Sequence, residues 1–272
     1  MSFAEYETSL QNGRPIRLYQ FQRGPLKWGY TSADRNITHQ SVTFRAIEGG
    51  VSDDGIRQTE DAQADTLTLT VPALLDVAQM YRVIAPGQTV YVTIFDLHYG
   101  DNGFLVIWMG QIAGVKFKSL TIAEIQCQNL SASLERTGLR KVWSRNCPHH
   151  IYDQSCQAKR ADYRFDGIID RIDAVSIGIA VAAIKPDRWF AGGYIEWTSQ
   201  YGLEQRGIES HTNDLLTIFG GTFGLANGQA LAIYAGCDRL FDTCKVKFNN
   251  TLNYGGAPYM PGKSPFDGTP VF

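Results

Sequence analysis

The sequence predicts a mainly β protein, built as barrels or sandwiches, and three observations support this fold class. Short segments alternate apolar and polar residues with the period of two that a half-buried strand requires. Glycine is frequent, at 27 of 272 residues, and aromatic residues make up 12% of the chain. Turn sequences rich in Gly, Asp and Asn separate the alternating segments, which is typical of many short antiparallel strands.

The first half of the chain contains five predicted strands. In DTLTLTVP, residues 65–72, Leu67, Leu69 and Val71 face one way and the threonines face the other. In TVYVTIFDLHY, residues 89–99, apolar residues occupy both faces, which predicts a strand buried on both sides. The remaining predicted strands cover residues 16–21, 104–112 and 120–130. Together they predict a first β domain, a barrel or sandwich, over residues 1–130.

The second half predicts another β domain over residues 131–272, with strands at 165–179, 193–197, 205–211 and 231–234. Leu134, Gly138 and Val142 recur every fourth residue, so a short helix or an extended arm is expected at the start of this domain. The tail from residue 250 to 272 is rich in Pro and Gly, which exclude a helix or a central strand. We expect it to lie on a surface, pinned by aromatic contacts, or to be mobile.

Charge and hydropathy exclude several classes of protein. Lys and Arg total 25 against 27 for Asp and Glu, a net charge of -2, so we expect no specific nucleic-acid partner. No apolar window reaches the roughly 18 residues of a membrane span. Glu5 and Glu7 stand where a secretory signal would be basic. These features predict a protein made in a reducing cytoplasm, where thiols stay free or bind metal.

The five cysteines are the most informative residues, since an odd number excludes complete pairing within one chain. Cys147 and Cys156 form one close pair, Cys237 and Cys244 form another, and eighty residues lie between the pairs. Turn-rich loops of this kind can gather four thiolates around one metal centre, although incidental cysteines are the simpler alternative. Zinc sites usually use tighter spacing, whereas iron–sulfur clusters accept wider spacing. Cys127 stands apart and is expected to be a small buried hydrophobe.

Charged and aromatic residues near these pairs suggest further roles. A run of basic residues would stabilise a negatively charged cluster, or would form a solvated face. It comprises Arg136, Arg140, Lys141, Arg145, Lys159, Arg160 and Arg164. Of the adjacent His149 and His150, at most one can approach a metal, and neither is expected to ligate. Trp143, Trp189, Trp197 and Tyr201 could stack on sugars, but a core or subunit-interface role is the simpler explanation.

The sequence lacks the common catalytic signatures. It has no Gly-rich phosphate loop after a strand and no Gly-x-Ser-x-Gly elbow. We therefore predict that the chain is not an enzyme. Two alternatives remain open at this point, an iron–sulfur redox enzyme and a zinc-stabilised glycan-binding module.

Two runs resemble a known family: LERTGLRKVWSRNCPHHIYDQSC and AGCDRLFDTCKVKFNNTLNYGGAPYMPG. They are similar to the tail hub, or baseplate hub, proteins of siphophages, Mu-like transposable phages and gene transfer agents, and in cysteine usage to the lambda minor tail protein L. The shared motif is a glycine–cysteine pair, a second cysteine seven positions on, Lys-Phe, two Asn-containing steps and a Pro-Gly end. Some relatives have a basic residue after the first cysteine, where this chain has Pro148.

The resemblance implies a structural protein of the virion tail tip, made of β-barrel domains. It implies a homotrimer that meets the ring of distal tail protein, a central tip or receptor-binding protein and, as a further partner, the tape-measure protein. It also implies a [4Fe–4S] cluster near the C-terminus, with Cys147, Cys156, Cys237 and Cys244 as its ligands. Zinc at the same four cysteines is the less favoured alternative.

Overall fold

The computed structural model describes residues 3–9, 13, 15–57, 65–98, 103–133, 138 and 143–261. The chain divides into two compact units, an N-terminal unit, Met1–Thr137, and a C-terminal unit, Gly138–Phe272. Both units are mainly β, as the alternating segments predict. The helix or arm expected over residues 134–142 lies outside the described residues except for Gly138.

The described residues of the N-terminal unit form nine strands and a few short helices. The strands are β1 (Pro15–Arg23), β2 (Leu26–Thr31), β3 (Ile37–His39), β4 (Val42–Ala46), β5 (Ser52–Asp53), β6 (Thr66–Pro72), β7 (Tyr91–His98), β8 (Leu105–Phe117) and β9 (Ile122–Asn129). The helices are α1 (Phe3–Glu7), α2 (Asp76–Gln79) and a 3-10 turn at Leu130–Ser133.

These nine strands form one sheet in the order β3-β4-β2-β1-β7-β8-β9-β6-β5. Its strand pairs are antiparallel except for β2 with β4. Arg17 and Tyr19 of β1 both hydrogen-bond to Asp53 of β5, at the far end of this order. Because β1 and β5 are far apart in the strand order and yet in contact, the sheet is strongly curved. The core lies on its concave face.

The alternation in β6 is confirmed, because Leu67, Leu69 and Val71 are all buried in the core. The two-sided burial predicted for residues 89–99 is wrong in part. Val92 and Ile94 of β7 are buried, but Tyr91 on the opposite face is 50% exposed. Tyr is apolar enough to suggest burial from sequence, although its hydroxyl end tolerates solvent. Cys127 lies buried in β9, as predicted, and burial raises the pKa of its thiol.

In the C-terminal unit, the part that the structure describes forms seven strands and several short helices. The strands are β10 (Arg164–Ile168), β11 (Arg171–Asp173), β12 (Ser176–Gly178), β13 (Tyr194–Ser199), β14 (Gly202–Thr212), β15 (Leu215–Ile218) and β16 (Ala230–Tyr234). The helices are α3 (Phe241–Val246) and 3-10 turns at Arg160–Tyr163, Ala180–Ile184 and Thr251–Asn253.

This second sheet closes into a barrel. Its order is β10-β16-β13-β14-β15-β12-β11, so it begins and ends in one continuous segment, residues 164–173. Between β10 and β11, the amide of Ile169 donates to the carbonyl of Gln229, and the amide of Asp170 donates to Gly178. Apolar side chains fill the interior of the closed barrel. They include Ile177, Ile179, Phe190, Ile195, Leu216 and Ile233.

Candidate metal centre

The four cysteines predicted as ligands line one small cavity in the C-terminal unit. Cys147, Cys156, Cys237 and Cys244 share its wall with side chains from three segments, 147–156, 237–244 and 248–254. The two pairs are eighty residues apart in sequence, so the fold alone brings them together. The tail segment after α3 completes the wall. It is pinned by aromatic contacts, as expected for its described part: Phe241 meets the rings of Tyr254 and Tyr259 at 5.1 and 6.3 Å.

Local turns hold each cysteine in place. The carboxylate of Asp153 accepts backbone hydrogen bonds from Ser155 at 2.9 Å and from Cys156 at 2.5 Å, which shapes the turn that presents Cys156. The amide of Cys147 donates to the carbonyl of Arg239 at 2.9 Å, so the first pair is tied to the loop of the second. Cys244 lies in α3 and is buried.

Every one of the four sulfurs has a hydrogen-bond partner. The amide of Gly255 donates to Sγ of Cys147 at 3.4 Å, and the amide of Arg239 donates to Sγ of Cys237 at 3.3 Å. The side-chain amide of Asn250 lies 3.7 Å from Sγ of Cys156, and the thiol of Cys244 donates to the carbonyl of Asn250 at 3.2 Å. N–H donors stabilise thiolate sulfur and tune metal–thiolate centres. Three of the four cysteines are thus prepared for the thiolate form.

Burial and neighbouring negative charges oppose ionisation of Cys237 and Cys244. Burial, and secondarily the charges of Cys237, Cys147 and Cys156, raise the pKa of Cys244 to about 11. Burial also raises the pKa of Cys237, and the charges of Asp238, Cys156 and Cys147 add to this effect. Four thiolates therefore need compensating positive charge in or beside the cavity. A bound metal supplies such charge and drives deprotonation of its thiol ligands.

Three arginines of the basic run have defined partners. Arg160 pairs with Glu196, Arg164 pairs with Asp166, and Arg145 donates to the carbonyl of Met260. Arg136, Arg140 and Lys141 lie outside the described residues. The charges of Arg160 and Arg164 are thus offset by carboxylates, whereas Arg145, two residues before Cys147, donates to a neutral carbonyl.

Lys247, three residues after Cys244, is a half-buried cation held close to the backbone that leads into Cys237. Its ammonium donates to the carbonyl of Gly236 at 2.6 Å and to that of Trp189, and lies 4.4 Å from the centre of the Trp189 ring. Burial lowers the pKa of Lys247 to about 8, although the charges of Cys237 and Asp238 act to raise it. Its place in KVKFNN, directly after the last cysteine, was the available signal.

The cysteines are gathered but are not arranged around an ion. Among the described residues, no three His, Cys, Asp or Glu side chains form a group that could hold a metal ion as they stand. The cavity has a volume of about 20 Å³, which is room for about one water molecule. His149 also lines it, and its Nδ1 lies 3.2 Å from the carbonyl of Asn253. The donor set therefore fits a metal–thiolate centre, and uptake of a metal requires the loops to adjust.

Comparison with known families identifies the chain. Residues 18–159, just over half of the sequence, match the model of the baseplate hub protein, N-terminal attachment domain. This chain belongs to the baseplate hub protein family. Residues 188–264 of the hub protein also match the model of the phage conserved hypothetical protein BR0599. The predicted family and the predicted location in the virion tail are confirmed. The first match contains Cys147 and Cys156, and the second contains Cys237 and Cys244.

Individual relatives extend this picture. A protein of Xylella fastidiosa (strain 9a5c), described as uncharacterized, is 27% identical over 188 residues, which cover 64% of this chain and 38% of the relative. The hub chain thus spans about two fifths of the length of this curated relative. A chain in the solved virion of a native gene transfer agent particle superposes with a TM-score of 0.83 at 19% identity, covering 99% of this chain and 96% of that one. At that identity the likeness establishes a shared fold.

One further observation concerns membranes. In the part of the chain that the structure describes, no helix has the length and apolar character needed to cross a bilayer.

Proposed function

We propose that this hub protein is a structural, non-enzymatic component of the tail tip. In this proposal it assembles as a homotrimer and joins the ring of distal tail protein to the central tip or receptor-binding protein, with the tape-measure protein as a further neighbour. The match of residues 18–159 to the attachment domain of baseplate hubs carries the proposal. The likeness of nearly the whole fold to a virion chain of a gene transfer agent supports it.

We also propose that Cys147, Cys156, Cys237 and Cys244 hold a [4Fe–4S] cluster that stabilises the C-terminal unit. Their common cavity and the N–H donors to three of the sulfurs support this assignment. A bound cluster would supply a covalent cross-link between segments that are distant in sequence. Because closing a long loop costs conformational entropy, the link would favour the folded state of these loops. The role assigned here is therefore structural.

Zinc is the second candidate for the same cysteines. Four thiolates are a common zinc donor set, and one observation favours it here. The metal-free cavity has room for about one water molecule, so a single ion needs less rearrangement of its wall than a four-iron cluster does. The cysteine spacing, in contrast, is wider than the usual zinc knuckle. Metal analysis separates the two directly.

The glycan-binding alternative has little support. Trp197 is only 3% exposed and packs in the barrel core, whereas Trp143 is 88% exposed. Trp189 lies between two ammonium groups, those of Lys185 and Lys247, at 5.1 and 4.4 Å from its ring centre. Side chains in such different environments do not offer one flat stacking surface. Trp197 is better explained as a packing group of the barrel core.

The experiment for the metal centre is anaerobic purification followed by metal and sulfide analysis. Iron and acid-labile sulfide, with a brown absorbance that dithionite bleaches, would support the cluster. Zinc without colour would support the alternative ion. Cys147→Ser and Cys237→Ser should lose the metal, while Cys127→Ser should retain it. A protein that holds neither metal after reconstitution would overturn the metal proposal.

The structural role is tested in particles. Virions made with Cys147→Ser or Cys237→Ser should lack intact tail tips when viewed by electron microscopy, whereas Cys127→Ser, if it folds, should give normal tips. Cryo-EM of the wild-type particle should place three copies of the chain between the distal tail ring and the tip. Normal, infectious particles from both ligand variants would contradict a structural role for the centre.

A further inference from the structure

Asn250 hydrogen-bonds to a cysteine of each pair, and it is a cavity-wall residue that makes one of these links through its side chain. Its backbone amide donates to the carbonyl of Cys244 at 3.0 Å, and its carbonyl accepts the thiol of Cys244 at 3.2 Å. Its side-chain amide donates to the carbonyl of Cys156 at 2.5 Å and lies 3.7 Å from the sulfur of the same residue. Cys156 and Asn250 are 94 residues apart.

The orientation of this side chain is determined by its neighbours. A backbone carbonyl can only accept, so the atom facing the oxygen of Cys156 must be the nitrogen of Asn250. The opposite atom, Oδ1, accepts from the side-chain amide of Asn253 at 2.7 Å. The carboxamide is therefore held at both ends, and its N–H group is directed at Cys156. A residue lacking either the donor or the acceptor would leave a partner unsatisfied.

We infer that Asn250 is the positioning residue of the centre: it holds the two cysteine pairs together before metal arrives and donates to the Cys156 thiolate after it has bound. The second half of this inference rests on the proposed function, and the first half concerns the metal-free chain. Loop closure is the main entropic cost of gathering distant ligands. A residue that keeps the loops closed lowers the cost of metal uptake, and a donor to sulfur stabilises the thiolate form.

The metal-free chain is tested by alkylation of its thiols with iodoacetamide, followed by mass spectrometry of each cysteine. In Asn250→Leu, labelling of Cys156 should accelerate about tenfold, the effect of losing the buried hydrogen bonds of the Asn250 side chain. Cys147 and Cys237 keep their backbone N–H donors, and the thiol of Cys244 keeps the backbone carbonyl of residue 250 as its acceptor, so all three should react at the wild-type rate. Asn250→Asp keeps the shape, removes the donor and should behave in the same way if the leucine variant does not fold.

Asn249→Asp is the matched control, because it makes the same chemical change at an exposed neighbouring side chain. It should leave all four rates unchanged. Unchanged labelling in the Asn250 variants, or equal acceleration of all four thiols, would overturn the inference. Cys127 in the other unit reports general unfolding in every sample.

The reduction potential of the metal-loaded protein is a second readout. It should not change if Asn250 only packs against its neighbours. If the bound centre is an iron–sulfur cluster, Asn250→Leu should have a lower reduction potential than wild type, because an N–H donor to sulfur favours the more negative, reduced state. Asn249→Asp should stay close to the wild-type value. An identical potential in Asn250→Leu would overturn the role toward the thiolate. If wild-type protein takes up no metal, the metal proposal fails, while the alkylation pattern still decides the role of Asn250 in the free chain.

Discussion

The hydroxyl of Tyr254 donates to the backbone oxygen of Arg145 at 2.6 Å, and this contact joins segments 109 residues apart. The same hydroxyl lies 3.2 Å from the carbonyl of Arg239. Arg145 precedes the first cysteine pair, and Arg239 lies within the second. The hydroxyl of Tyr254, a residue of the tail segment, therefore contacts both cysteine loops of the candidate metal centre.

Tyr254→Phe tests this contact with minimal change of shape. Removing the hydroxyl should lower the free energy of unfolding of the metal-free C-terminal unit by about 1 kcal/mol, the typical net value of one hydrogen bond. Urea titration followed by circular dichroism measures the change. Tyr259→Phe is the control, since Tyr259 is 89% exposed. Equal stability of the two variants would show that the Tyr254 hydroxyl contributes nothing.

Gly236 permits a backbone contact that no other residue type could make. A Cβ added there would lie 1.8 Å from the carbonyl oxygen of Ala191. Gly236→Ala should therefore destabilise the C-terminal unit by about 3 kcal/mol or more, because backbone must move to relieve the overlap. Since Cys237 follows directly, metal content should also fall. Gly114→Ala, at a strand position with open space, is expected to change neither quantity.

Two carboxylates around Arg17 respond to pH in opposite directions. Burial acts to raise the pKa of Asp53, but hydrogen bonds from Arg17 and Tyr19 and the charge of Arg17 bring it below its usual value. Burial raises the pKa of Asp96 and outweighs the charge of Arg17. Asp53 therefore contributes stability above the unfolded pKa of about 4, and this is lost as pH falls through its lowered folded pKa. Ionised Asp96 instead costs stability at neutral pH, and its contribution improves as pH falls.

The expected consequence is a difference between two conservative variants. Asp53→Asn should lose about 1–2 kcal/mol of unfolding free energy at pH 7, with a smaller loss near pH 3. Asp96→Asn should lose less at pH 7, because it removes a charge that burial disfavours. Denaturant unfolding at both pH values measures the effect. Equal, pH-independent losses would contradict the assignment of the two pKa shifts.

Cys127→Ser separates stability from metal binding. Cys127 is buried in β9 of the N-terminal unit, so a serine hydroxyl there loses its hydration. Its loss of unfolding free energy should be about 1–3 kcal/mol. Cys127→Ala should cost less, since it buries no polar atom. Both variants should keep the wild-type metal content, and a drop in bound metal per folded chain would contradict the separation of Cys127 from the other four.

Much of the local structure of this protein could be predicted from its sequence. The alternation in residues 65–72 identified β6 and its buried face, because the pleat places every second side chain on the same side regardless of neighbours. The strands β2, β3, β4, β5 and β15 were not predicted. Three of them, β3, β5 and β15, have only two to four residues, too few to show a period. The outer face of β7 was misjudged because exposure of Tyr91 depends on what covers the sheet.

In the candidate site, too, local sequence features were predictable and long-range contacts were not. Cysteine count and spacing singled out Cys147, Cys156, Cys237 and Cys244, since thiols are rare enough for close pairs to be conspicuous. Lys247 and Asn250 lie in the motif shared with the tail hub family, but their roles depend on contacts with Trp189 and with Cys156, which the motif does not specify.

By itself, the sequence determined the fold class, the virion family and the four cysteines of interest, because strand periodicity and residue chemistry are local properties. Only the tertiary structure decided that the second sheet closes on residues 164–173, that Arg160 pairs with Glu196, and that Asn250 joins the two cysteine pairs. These relationships arise from segments that meet only after chain folding. Their energies depend on burial and distance, which one-dimensional order does not specify.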